Sequence, residues 1–110
     1  MYIAVRADLS AGSQVAQVAH AAFLFSAEYP SEFQAWHRNS NYLVVVSVPD
    51  EDALMDLASR ALRTNIGVSL FHEPDLNEEL TAIALEPGDT ARKLCSNFPL
   101  ALKETVKVPP

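Results

Sequence analysis

The chain is poor in residues that build unusual backbone turns or fixed redox chemistry: it has three glycines and one cysteine in 110 residues. With Cys95 as the lone thiol, no intramolecular disulfide framework can form, and no CxxC metal or redox motif exists. So few glycines leave neither a GxGxxG turn nor a P-loop, which excludes the glycine-built phosphate cradles. His20, His37 and His72 stand apart, without metal-ligand spacing, so neither a metal nor a cofactor is expected. No apolar run reaches the roughly 18 residues that cross a bilayer. Met1 leads straight into a strand-like segment rather than into a basic and apolar leader. A cytoplasmic protein with no membrane partner is the resulting expectation. Basic residues are also scarce, 8 against 14 acidic, for a net charge of −6. That excludes a grip on nucleic acid by bulk charge. Local pairs remain, Arg60 with Arg63 and Arg92 with Lys93, and these read as solvated helix faces.

What is present suits one α/β domain spanning residues 1–110, since a chain of this length buries enough surface for a core. "YIAVR" (2–6) reads as a strand and 8–12 as a polar turn. Ser10 or Ser13 can cap a helix running from Gln14 to about Glu28, ended by Pro30. Residues 31–38 suit a short helix with Phe33 and Trp36 on one face. "YLVVVSVP" (42–49) has the continuous apolar run of a central strand covered on both faces. Asp50 opens a helix with an apolar stripe of Leu54, Leu57, Ala58, Ala61 and Leu62, stopped by Asn65 and Gly67. Residues 68–74 read as a second buried strand, "DLNEE" as a loop and 80–87 as another strand. Asp89 or Thr90 caps a last helix to about Ser96. The tail "LALKETVKVPP" offers one more short strand. The order β-α-β-α-β-β-α predicts a mixed four-stranded sheet with helices on both faces. Parallel pairs come from the right-handed crossovers, and the short 74–80 link makes an antiparallel pair.

Two segments carry polar groups where packing alone would not ask for them. In "AGSQVAQVAHAAFLF", Ser13, Gln17 and His20 fall at i, i+4 and i+7 and share one helix face among small apolar neighbours. That stripe suits one wall of a pocket at a strand end, or a histidine bonded locally. "FHEPDLNEELTA" (71–82) places acids directly after a strand, where loops carry function, or simply makes a solvated acidic turn. Asp75 is the acid singled out there.

Together these segments resemble the type II peptidyl-tRNA hydrolases. The likeness runs through Arg6, Asp8 and Leu9 in the first turn and "AQVAHA" (16–21) in the helix. It continues through Trp36, "VVVSVPDEDAL", a "VSLF" strand followed by an aspartate, and "LTAIALEP" (80–87), in the same order along nearly the whole chain. The resemblance implies hydrolysis of the ester joining a peptide to the 3′ end of tRNA, with peptidyl-tRNA as partner. It implies His20 as general base, Asp75 as its orienting acid and Gln17 as a donor to the oxyanion or water. Thr81, Arg6 and Ser13 would then contact substrate. The family's turn carries Gly-Lys where this chain has Gly12-Ser13, and losing such a cationic donor can cost about two to three orders of magnitude in rate. Two classes therefore stay open: an esterase acting on peptidyl-tRNA, and a binding or regulatory domain on the same scaffold. The apolar strands are compatible with a homodimer without requiring one.

Overall fold

The computed structural model describes residues 1–103. Four strands, β1 (Tyr2–Arg6), β2 (Val44–Val48), β3 (Val68–Glu73) and β4 (Glu79–Leu85), form one sheet in the order β2-β1-β4-β3. β1 and β2 are parallel, while β4 runs antiparallel to both β1 and β3. The helices are α1 (Ala11–Glu28), α2 (Pro30–Asn39), α3 (Glu51–Leu62) and α4 (Asp89–Cys95), and a single 3₁₀ turn, Pro74–Leu76, lies between β3 and β4. The expected mixed sheet with helices on both faces is what the chain forms.

Period-two alternation divides the core between the two faces. Ile3, Val5, Ala82 and Ala84 point towards α1 and pack with Ala21 and Phe25. Ala4, Val46, Val48, Ile83 and Leu85 point the other way, onto Leu54, Leu57, Ala58 and Ala61 of α3 and Ala91 and Cys95 of α4. Phe25 and Leu54 are fully buried, each contributing roughly 1.5–3 kcal/mol relative to exposure.

Several local expectations change. β2 is an edge strand, not a central one. Its free edge is met by residues 99–101, through Ser47 N–H to the Pro99 carbonyl, Ala101 N–H to the Val45 carbonyl, and an antiparallel bridge between Val46 and Leu100. That bridge is the strand-like part of the tail; residues 104–110 lie outside the described residues. β3 is the other edge and only partly buried. Leu62 is 57% exposed and leaves the α3 stripe. α1 begins at Ala11 because the Ser10 hydroxyl accepts the Ser13 N–H at 3.3 Å. Gly88 precedes α4 without a side-chain cap. Gly67 does not terminate α3, whose C-cap is Arg63. A Cβ at Gly67 would lie 2.7 Å from the Tyr29 ring, so glycine is required there by close approach. Tyr29 closes α1 and opens α2, whose first residue is Pro30, where a missing N–H costs nothing. Phe33 and Trp36 do share a face, with ring centroids 5.5 Å apart.

Candidate active site

α1 lies across β3 and β4, and its polar stripe meets β3 in two rungs. Gln17 Nε2 donates to Glu73 Oε1 at 2.9 Å. One turn further on, the His20 ring stacks on Phe71, with centroids 4.6 Å apart and planes 13° from parallel. Phe71 and Glu73 are two residues apart on β3 and so project to the same side. Gln17 and His20 are three apart on the helix and do likewise. The Gln17–Glu73 and His20–Phe71 contacts are thus neighbouring rungs between α1 and β3.

Beneath this surface the network continues inward. Thr81 Oγ1 donates to Gln17 Oε1 at 2.6 Å. Thr81 is fully buried and Gln17 is 4% exposed. The amide orientation follows from chemistry. A carboxylate only accepts, so Gln17 must turn its NH₂ to Glu73, and its oxygen is left for the Thr81 hydroxyl. Each end of the buried amide is therefore satisfied, and its rotamer is fixed from both sides.

Thr81 reaches α1 only because β4 is irregular. Phe71 pairs with Ala82 but His72 pairs with Leu80, so Thr81 is an extra residue in the ladder. A bulge of this kind breaks the alternation. Leu80 packs on the α3 side while Thr81 and Ala82 both face α1.

Other expected site residues fall elsewhere. Arg6 is buried, and its guanidinium is held by Asp8 (Nε to Oδ1 2.9 Å, Nη2 to Oδ2 2.9 Å), by Glu79 Oε1 at 2.7 Å and by the Leu80 carbonyl at 3.2 Å. The bidentate hydrogen bond to Asp8, followed by that to Glu79, raises the Arg6 pKa, while the Arg6 hydrogen bond holds the Asp8 carboxyl below the ordinary carboxylate value. Arg6 is turned into the fold, with its guanidinium occupied by these partners. Asp75 is exposed in the 3₁₀ turn and has no hydrogen bond to His20. The acid that meets α1 is Glu73, which precedes the turn. Ser13 is exposed on the same flank of α1 as His20. Among the described residues, no group of three or more His, Cys, Asp or Glu side chains is arranged to hold a metal, and no helix is long and apolar enough to cross a membrane.

An amide locked between a buried hydroxyl and a half-buried carboxylate, with an exposed imidazole one rung away, makes this flank of α1 the candidate site. Comparison with known proteins gives the family. The family model described as peptidyl-tRNA hydrolase PTH2 matches residues 1–98, and the chain belongs to that family. A peptidyl-tRNA hydrolase of Methanopyrus kandleri is 36% identical over 91 residues, covering 78% of this chain and 73% of that protein.

Proposed function

We propose that this protein hydrolyses the ester between a peptide and the 3′ end of tRNA, in the cytoplasm, through the surface that His20 and Glu73 share. The observation that carries the reading is the continuous chain Thr81–Gln17–Glu73, set on the rung of β3 next to the one that carries the His20–Phe71 stack. Imidazole is the side chain whose protonation changes near neutrality, which suits it to accept the proton of an attacking water. Stacking on Phe71 sets the ring plane of His20 and leaves its nitrogen edges open. No carboxylate is needed to orient it, and Asp75 is not called upon. Glu73, one rung away, stabilises the imidazolium that forms and accepts from the bound water with the oxygen that Gln17 leaves free.

Gln17 and Thr81 act from beneath. They are too buried to meet the ester and instead hold the Glu73 carboxylate in one place, the positioning that such reactions depend on. Ser13, exposed one turn before Gln17, offers a hydroxyl to the substrate. It supplies a hydrogen bond without the positive charge that a lysine would bring. An acidic protein that binds tRNA in this way makes few phosphate contacts. Its affinity therefore falls only gently with salt.

The test is turnover of an N-acetylated aminoacyl-tRNA by purified protein. Release of the acyl group by the wild-type chain and its loss in His20→Ala, with circular dichroism unchanged, supports the reading. A wild-type protein without turnover overturns it.

A further inference from the structure

The bulge that delivers Thr81 to Gln17 is itself held in place from the opposite side of the sheet. Leu80, the residue before Thr81, is 3% exposed, and both of its main-chain polar groups are met by charged side chains. Its carbonyl accepts from Arg6 Nη1 at 3.2 Å. Its N–H donates to Glu51 Oε2 at 2.8 Å, from the first turn of α3. A buried N–H must find an acceptor, and a bulged strand interrupts the ladder that would supply one. Glu51 is that acceptor.

We propose that Glu51 is a positioning residue for hydrolysis, acting through the bulge. It rests on the reading of the Thr81–Gln17–Glu73 chain given above. Without an acceptor at Glu51, the Leu80 N–H is relieved by regularising β4. A one-residue change of register turns a side chain to the other face of a sheet, which withdraws the Thr81 hydroxyl from Gln17. The amide then loses one of its two anchors, and Glu73 loses its fixed position, although Glu51 lies on the far face and touches no substrate.

The experiment separates reach from charge. Glu51→Gln keeps the length and the acceptor oxygen and loses the charge. Glu51→Asp keeps the charge and withdraws it by one methylene. Steady-state kinetics on N-acetylated aminoacyl-tRNA are expected to show Glu51→Gln within about two-fold of wild type. Glu51→Asp and Glu51→Ala are expected to lose about ten- to a hundred-fold in kcat with KM little changed, the scale of a small misplacement of a catalytic group. A double-mutant cycle then asks whether the effect travels through Thr81. Adding Glu51→Asp to Thr81→Val should cost no further rate. Equal activity of Glu51→Asp and wild type overturns the proposal, as does full additivity with Thr81→Val. Loss in Glu51→Gln matching that in Glu51→Asp overturns it too, since charge alone would then explain the effect. If Thr81→Val itself leaves kcat unchanged, the underlying site reading fails and the proposal goes with it. A failing Glu51 series with an impaired Thr81→Val removes the proposal and leaves the site standing.

Discussion

Replacing Gln17 by glutamate preserves size and shape and changes one thing, the donor that Glu73 receives. The two groups are 2.9 Å apart. Two carboxylates at that distance would repel by about 6 kcal/mol at an effective dielectric of 20. Glu73 is half-buried, so solvent screens about half of this, and the repulsion that survives makes the pair hold one proton between them to higher pH. A remaining cost of about 3 kcal/mol corresponds to a rise of roughly two pKa units in the carboxyl that ionises last. Such a group binds its proton more tightly folded than unfolded. Its stabilising effect is full below the unfolded pKa and is lost as pH rises through the raised folded value. Gln17→Glu should therefore match wild-type stability near pH 4 and fall about 3 kcal/mol behind by pH 8. Urea unfolding of both proteins at the two pH values measures this directly. An equal loss at both pH values would refute the reasoning, because the cost would then be packing. No loss at either would mean that Glu73 does not meet Gln17 in solution.

Other consequences follow from the same packing. Gly67→Ala drives a Cβ to within 2.7–3.1 Å of three Tyr29 ring atoms. The ring cannot swing freely, because it stacks on Phe25 and its hydroxyl donates to the Val68 carbonyl. A loss of about 1–3 kcal/mol is expected in thermal or urea unfolding; an unchanged midpoint would contradict that close approach. Burial pushes the Cys95 thiol up to about 11, so the folded protein should resist thiol-alkylating reagents at pH 8 and label fully only in denaturant. Rapid labelling of the native protein would contradict its burial.

The part of the site carried by α1 is legible because polar side chains in an apolar helix need partners. Gln17 finds two, on neighbouring strands. His20 finds a ring to lie on rather than a local bond. Sequence position alone points to the wrong acid for contact with α1. Asp75 is the acid just past the strand read over 68–74, whereas Glu73 lies within that strand, and stepping by two from Phe71 puts Glu73 on the helix-facing side. Resemblance points to Thr81, but its route to Gln17 depends on a bulge that no local residue type announces. The charges that sustain that bulge, Arg6 and Glu51, come from segments far apart in the chain. The apolar run of β2 reads as a central strand because both its faces are covered. Hydrophobicity reports on faces, whereas edge position is decided by hydrogen bonding, here by the segment around Pro99–Ala101.

The most direct measurement compares Glu73→Gln with Asp75→Asn in hydrolysis of an N-acetylated aminoacyl-tRNA. The amide oxygen introduced by Glu73→Gln can still accept from Gln17, so the fold is preserved while the charge beside His20 is gone. The expected result is a fall in kcat of about a hundred-fold or more for Glu73→Gln, the range of a lost partner in proton transfer, and a rate within about two-fold of wild type for Asp75→Asn. Full activity in Glu73→Gln together with a collapse in Asp75→Asn would contradict the assignment of Glu73 as the working acid.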